Sequence, residues 1–282
     1  VYTTKKAVLM KVLALDGGGV FGNVQASILG GIDALGKFDA FVGTSIGAAV
    51  VSAIATGRQK EVSKQFFHEW MPIIFKRHWY RTMNPFNSRY SDTRLNTALR
   101  NVFRGTYYWD VKKPLFITAA SVGSRTLKVF NADDDGGWLL WAAVRAAVAA
   151  ETYFPPWRGF ADGGVFANNP SMVAVAAASR MLKVPLNEME VLSIGTGSPT
   201  GNGHRSPITT FGWGLWLVNA LLEGASDDMH DYFVRSLPLK RYKRIQFARM
   251  PKWRMDSPES MFESEVAWAR DIEQAIKVVE GF

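Results

Sequence analysis

The stretch FDAFVGTSIGAAVVSAIAT, residues 38–56, carries a strand, a turn and a helix in one line. Phe38–Val42 is apolar enough for a buried strand, and Ala48–Thr56 is a run of small apolar residues suited to a helix packed closely on a sheet. Between them Gly43-Thr44-Ser45-Ile46-Gly47 reads G-x-S-x-G. A serine on so sharp a strand-to-helix turn sits at strained backbone angles and needs small neighbours two positions away on each side. Its hydroxyl then projects above the sheet edge, and the following helix aims its N-terminal dipole at charge developing there. The alternative reading of the pentapeptide is an ordinary glycine-rich turn with an incidental serine; the flanking strand and helix favour the elbow.

Upstream, Lys11–Asp16 (KVLALD) predicts a first strand that runs into DGGGVFG, residues 16–22. Gly17, Gly19 and Gly22 satisfy G-x-G-x-x-G, the spacing that brings a backbone close to a dinucleotide pyrophosphate. Val24, Ile28, Ile32 and Leu35 follow at helical spacing. A dinucleotide fold wants an acid at the end of the second strand to hold the ribose. Asp39 lies near the start of that strand, and the serine turn occupies its end.

Downstream, Leu115–Ser121 and Thr126–Asn131 read as strands joined across Val122–Arg125. Trp138–Ala150 reads as a helix, as does Ser171–Leu182 with Pro170 at its first turn. Glu190–Ile194 reads as a strand ending in Gly195-Thr196-Gly197; Trp213–Leu222 reads as an aromatic core helix and Met261 to Val279 as a terminal helix. Strands alternating with helices predict an α/β fold: three layers, α/β/α, with a mainly parallel central sheet. The expected organisation is one domain over 1–282, with a helical and basic extension at 201–282 packed on it.

At 282 residues and 48% hydrophobic, the chain can bury a large core. No apolar run approaches the roughly 18 residues that span a bilayer. The opening VYTTKKAVLMKVLALDGGG places two lysines before an apolar stretch, but Asp16 and the glycines interrupt it and no small-residue cleavage site follows. It reads as a short tail into the first strand, and Val1 as a trimmed terminus. The absence of cysteine removes thiolate nucleophiles, disulfides and Cys-based metal sites, and suits a cytoplasmic protein. Thirty-three basic against 25 acidic residues give a net charge of +8, which favours anionic surfaces.

A hydrolytic serine needs a base. His68, His78, His204 and His230 are the histidines, and none stands in a tight motif. Asp162, directly before Gly163 and Gly164 and followed by Asn168-Asn169-Pro170, reads as a carboxylate on a rigid loop. To take a serine proton it needs burial, which lifts a carboxyl above its usual value of about 3.9, and a short contact to the hydroxyl. Asp133-Asp134-Asp135-Gly136 lacks the full spacing of a calcium loop and reads as a solvated turn. The segments Trp70–Phe86 and Lys240–Arg254 mix cations with aromatic rings. Such a mixture suits an anionic membrane interface or single-stranded nucleic acid; a core helix and a solvated strand face are the plain alternatives.

Together, DGGGVFG (16–22), GTSIG (43–47) and DGG (162–164) resemble the patatin-like phospholipases in order and spacing. AAVRAAVAAETYFPP (142–156), GGVFANNPS (163–171) and SIGTG (193–197) extend the resemblance over about residues 11–200. The resemblance implies a Ser–Asp dyad without histidine, Ser45 as nucleophile and Asp162 as base. It assigns Gly17, Gly18 and Gly19 to an oxyanion hole and makes Gly43, Gly47, Gly163 and Gly164 its supporting turns. The implied chemistry is phospholipase A-type hydrolysis of fatty-acyl esters of membrane phospholipids through an acyl-enzyme, with no metal or cofactor. Bacterial relatives include toxins, housekeeping lipases and antiphage effectors switched on by cyclic nucleotides. The expectation here is a cytoplasmic enzyme at the inner membrane surface, in contact with anionic lipid rather than nucleic acid, with a cyclic-nucleotide activator as a further expected partner. Its rivals are a nucleotide-binding protein built on the 17–22 loop and an inactive lipid-binding signalling module.

Overall fold

Alternating apolar residues on short strands leave both faces of a sheet to be covered, and two helical layers cover them here. The computed structural model describes residues 9–76, 88–199, 209–220 and 226–282. The strands are β1 (Met10–Leu15), β2 (Ala40–Thr44), β3 (Leu115–Ser121), β4 (Thr126–Phe130), β5 (Phe160–Asp162), β6 (Met189–Ile194), β7 (Ser198–Pro199), β8 (Arg241–Ile245) and β9 (Ala248–Arg249). The main sheet runs β4-β3-β2-β1-β6-β8, parallel from β3 through β8, with β4 antiparallel at one end. β7 and β9 form a separate small pair.

Successive strand residues point to opposite faces. Leu13, Leu15, Phe41, Ile117, Leu192 and Ile194 enter one buried cluster, and Val12, Ala14, Val42, Phe116 and Val191 enter another. Over the first face lie α1 (Gly22–Gly30), α2 (Ile46–Ala55), α3 (Asp92–Phe103) and α4 (Leu140–Ala147). Over the second lie α5 (Ser171–Arg180) and, past α6 (Thr210–Ala220), α7 (Ser226–Ser236). The last two helices, α8 (Pro258–Ala267) and α9 (Ala269–Glu280), return to the first face, where Met261, Ala275 and Val279 are buried. The expected three-layer α/β/α arrangement with a mainly parallel sheet is therefore the observed one.

Several local expectations change. The helix expected over Val24–Leu35 stops at Gly30 and resumes as a short turn at Ala34–Lys37, capped by the Asp33 side chain. The single terminal helix is two, broken at Trp268. Asp133–Asp135 is a helical turn capped by Asn131, and Asp135 is buried in an ion pair with Lys128 at 2.8 Å rather than solvated. The helix α6 exposes Trp213, Trp216 and Leu217, so these side chains are not core; residues 221 and 222 lie outside the described residues.

The basic stretch Lys240–Arg254 starts as strand β8, paired with β6, while Phe247 and Trp253 are buried. Its rings stack on the protein itself: Trp253 and Phe247 both lie against Trp268, at 5.2 and 5.1 Å between centroids. In Trp70–Phe86, Met71, Ile74 and Phe75 are core; residues 77–86, with His78, lie outside the described residues, as does His204.

Candidate active site

The serine turn is built by close approach. α2 starts so near the end of β1 that a Cβ on Gly47 would run into the carbonyl oxygens of Leu15 and Asp16, and one on Gly43 would come within 2.6 Å of the Gly47 oxygen. Ser45 between them is the N-cap of α2, at φ 52° and ψ −125°. Positive φ in a residue with a side chain costs conformational energy, and packing on both sides holds it there. Gly47→Ala is accordingly expected to lower folding stability by about 3 kcal/mol, because the obstructing atoms are backbone and cannot swing aside. The denaturant midpoint measures this, and an unchanged midpoint would contradict the packing argument.

What faces Ser45 comes from β5. β2 runs parallel along one edge of β3 and ends where Thr44 stands opposite Thr118. β4 covers the other edge of β3, so β5, antiparallel to β3, continues the edge that β2 vacates and places Asp162 opposite Ala119. Two strands thus meet end to end on adjacent register positions of β3. The Ser45 hydroxyl donates to Asp162 Oδ2 at 2.5 Å, and the other carboxylate oxygen accepts the Gly164 amide at 2.8 Å. Gly163 makes the turn possible where the chain crosses Thr118, whose carbonyl oxygen would lie 2.6 Å from a Cβ.

Asp162 is 2% exposed, and this burial pushes its carboxyl up to about 6, against the opposing pull of the Ser45 and Gly164 hydrogen bonds. Glu151 nearby is also pushed up, by burial first and by the charge of Asp162 second. A carboxylate so placed is a far better proton acceptor near neutrality than a solvated one. Neither described histidine reaches the serine. His68 faces Glu265 at 3.5 Å, and His230 Nδ1 donates to the Asn169 carbonyl at 2.5 Å.

The glycine loop closes the third side. Gly17 donates its amide to the Asn168 carbonyl at 3.1 Å, so the expected set of three donors narrows to two. Gly18 and Gly19, at φ 152° and 59°, adopt conformations that side chains resist, and among the described residues their amides donate to no protein acceptor. The following amide, Val20, is held by the Met255 carbonyl at 2.9 Å. Asp39 stands at the other end of β1 and β2, accepting the Lys11 amide at 2.8 Å, so no acid faces the loop where a ribose would need one.

Ser45, Asp162, Gly18 and Gly19 line the same narrow, largely apolar pocket, which is partly open to solvent. Its walls are Ile46, Phe66, Met71, Ile74, Phe75 and Leu95 on one side and Val148, Phe154 and Met255 on others. An apolar pocket ending at a serine, a raised carboxyl and two undirected amides can accept a hydrocarbon chain and activate a hydroxyl against a carbonyl. Sequence reasoning missed the cavity because its walls come from five separated segments.

A family model described as patatin-like phospholipase matches residues 13–175. A cGAMP-activated phospholipase of Escherichia coli is 28% identical over 221 residues, covering 66% of this chain and 62% of that protein. An 85/88 kDa calcium-independent phospholipase A2 of Rattus norvegicus is 27% identical over 234 residues, covering 70% of this chain but 28% of that protein. The solved structure of VipD from Legionella pneumophila superposes with a TM-score of 0.51 at 12% identity, over 96% of this chain and 67% of that one, a likeness of fold.

Proposed function

The chain belongs to the patatin-like phospholipase family and is a lipid acyl hydrolase, and from that premise we propose that Ser45 and Asp162 form its catalytic dyad. The observation that carries this reading is the 2.5 Å hydrogen bond between them at the mouth of an apolar cavity. The acyl chain of a phospholipid enters the cavity and its ester carbonyl comes to rest over Ser45. Asp162 accepts the hydroxyl proton as Oγ attacks the carbonyl carbon. The tetrahedral oxyanion takes the Gly18 and Gly19 amides, each such donor typically lowering the barrier by about 3–4 kcal/mol. Collapse expels the alcohol portion, which leaves with the proton from Asp162. Water then attacks the acyl-enzyme, Asp162 takes its proton, and the fatty acid departs as Ser45 recovers its hydrogen.

The site of action in this reading is the cytoplasmic face of an anionic membrane, consistent with the net charge of +8. A cyclic-nucleotide activator, and with it a role as an antiphage effector, is supported by relatives described as cGAMP-activated and cUMP-AMP-activated phospholipases. The deciding experiment combines two readouts on the purified chain. Mass spectrometry after fluorophosphonate treatment should find the adduct on Ser45, and anionic phospholipid vesicles should release fatty acid. Label on another residue, or no fatty acid with or without added cyclic dinucleotides, would refute the dyad. Full release without nucleotide and no change on adding it would refute the activation.

A further inference from the structure

A buried ion cluster lies directly beneath the glycine loop and takes no part in the steps above. Asp16 ends the first strand and precedes Gly17. Its carboxylate is gripped by the Arg244 guanidinium from β8 in a two-point contact, Nη1 to Oδ1 at 2.8 Å and Nη2 to Oδ2. Arg244, with its side chain 5% exposed, also donates to Ser193 Oγ at 2.7 Å and to Asp227 Oδ1 at 2.6 Å. Asp227 in turn accepts from Gln246, Ser198 and Asn169. The backbone around Asp16 is fixed as well, since its amide donates to the Ile194 carbonyl and its own carbonyl accepts Gln25 Nε2 at 3.0 Å.

We infer that Arg244 is a positioning residue for ester hydrolysis, holding Asp16 so that the loop presents the Gly18 and Gly19 amides to the reacting oxygen. The inference rests on the dyad and oxyanion reading given above and adds to it a residue outside the family match, which ends at residue 175. Two physical effects act together. A planar guanidinium bonded to both oxygens of a carboxylate fixes direction as well as distance, which one ammonium cannot do. It also neutralises a negative charge that would otherwise sit beside an oxyanion as it forms. Burial first, and the charges of Asp227 and Asp231 after it, push the Asp16 carboxyl up to about 7 despite the arginine, so without that partner the site would either take up a proton or carry an unbalanced charge.

The test uses the purified full chain and a soluble p-nitrophenyl ester, with kcat and KM corrected for the folded fraction seen by circular dichroism. Arg244→Gln should lower kcat about 100-fold, the size of effect expected from a small misplacement of a transition-state group, while KM stays within about twofold. The rate of fluorophosphonate inactivation, which develops the same charge on oxygen, should fall in parallel. Adding Asp16→Asn to Arg244→Gln should restore kcat about tenfold, because the stranded carboxylate is gone. A purely structural arginine would not split kcat from KM in the folded fraction, and that result overturns the inference. So does wild-type kcat in folded Arg244→Gln. If Arg244→Gln does not fold, Asp16→Asn alone carries the test: a kcat reduced about tenfold at unchanged KM supports the inference, and a wild-type kcat overturns it. Failure of the dyad reading looks different, since it would appear as label elsewhere than Ser45 in the wild-type chain.

Discussion

Replacing Ser45 with alanine is expected to remove acyl hydrolysis to within background, a fall of about 10⁵-fold or more in kcat, as when a nucleophile that acts in a unit is deleted. The size follows from geometry. Ser45 carries the hydroxyl that is already bonded to a buried carboxylate, and its strained turn has no neighbouring hydroxyl in register to take over. Thr44 is turned away, bonded to the Ala167 carbonyl and Thr118 at 2.6 Å. Alanine keeps the elbow, since the flanking glycines and not the hydroxyl admit the turn, so the variant should melt close to wild type. Fatty-acid release from vesicles and ester hydrolysis both read the effect. Activity above about 1% of wild type in Ser45→Ala would place the nucleophile elsewhere.

Asp162→Asn is expected to lower kcat by about 10³–10⁴-fold, because an amide keeps the shape and loses the proton acceptor. The wild-type pH profile should carry the same information. A base raised to about 6 must be ionised to work, so kcat/KM should rise with pH through that region and level off above it. A solvated aspartate would place the rise near 4, and an acid limb there would show that Asp162 is not the base.

Stability should move the other way. The folded carboxyl binds its proton more tightly than the unfolded one, so ionisation costs stability as pH rises from about 3.8 to 6, and the full cost stands above 6. That cost is on the order of 3 kcal/mol for a shift of this size, and asparagine does not incur it. Asp162→Asn should therefore melt higher than wild type at pH 7 while being nearly inactive. A variant both slower and less stable at neutral pH would point to a structural aspartate.

The parts of this site that could be read from sequence are those whose demands are local. Gly43 and Gly47 flank Ser45 because a helix must start within contact of a strand, and Gly18 and Gly19 stand where the backbone turns into positive φ. Steric requirements of that kind leave their mark on residue type within a few positions. The glycines after Asp162 marked it as a candidate base, but its pairing with Ser45 came only from the resemblance, since that depends on β5, three residues long and without a pattern of its own. The cation-rich stretch after residue 240 stayed open between a binding surface and a strand face for a related reason. Composition described its charge, while the placement of Arg244 inward against Asp16 depends on partners 228 residues away in sequence. Two of its aromatic residues, Phe247 and Trp253, pack with Trp268 behind the glycine loop, with Phe21 lying 6.0 and 6.2 Å from Trp268 and Trp253.

That distance along the chain has a consequence for timing during synthesis. A ribosome that has released the first 200 residues has supplied Ser45 and Asp162, and the two partners of β3, β2 and β5, that bring them together. It has not supplied Arg244, nor Met255, whose carbonyl holds the Val20 amide beside Gly19. Contacts this remote form last. A chain folding during synthesis is therefore expected to set Ser45 against Asp162 while its glycine loop is still unsupported, and to gain full esterase activity only once Arg244 and Met255 have left the ribosome.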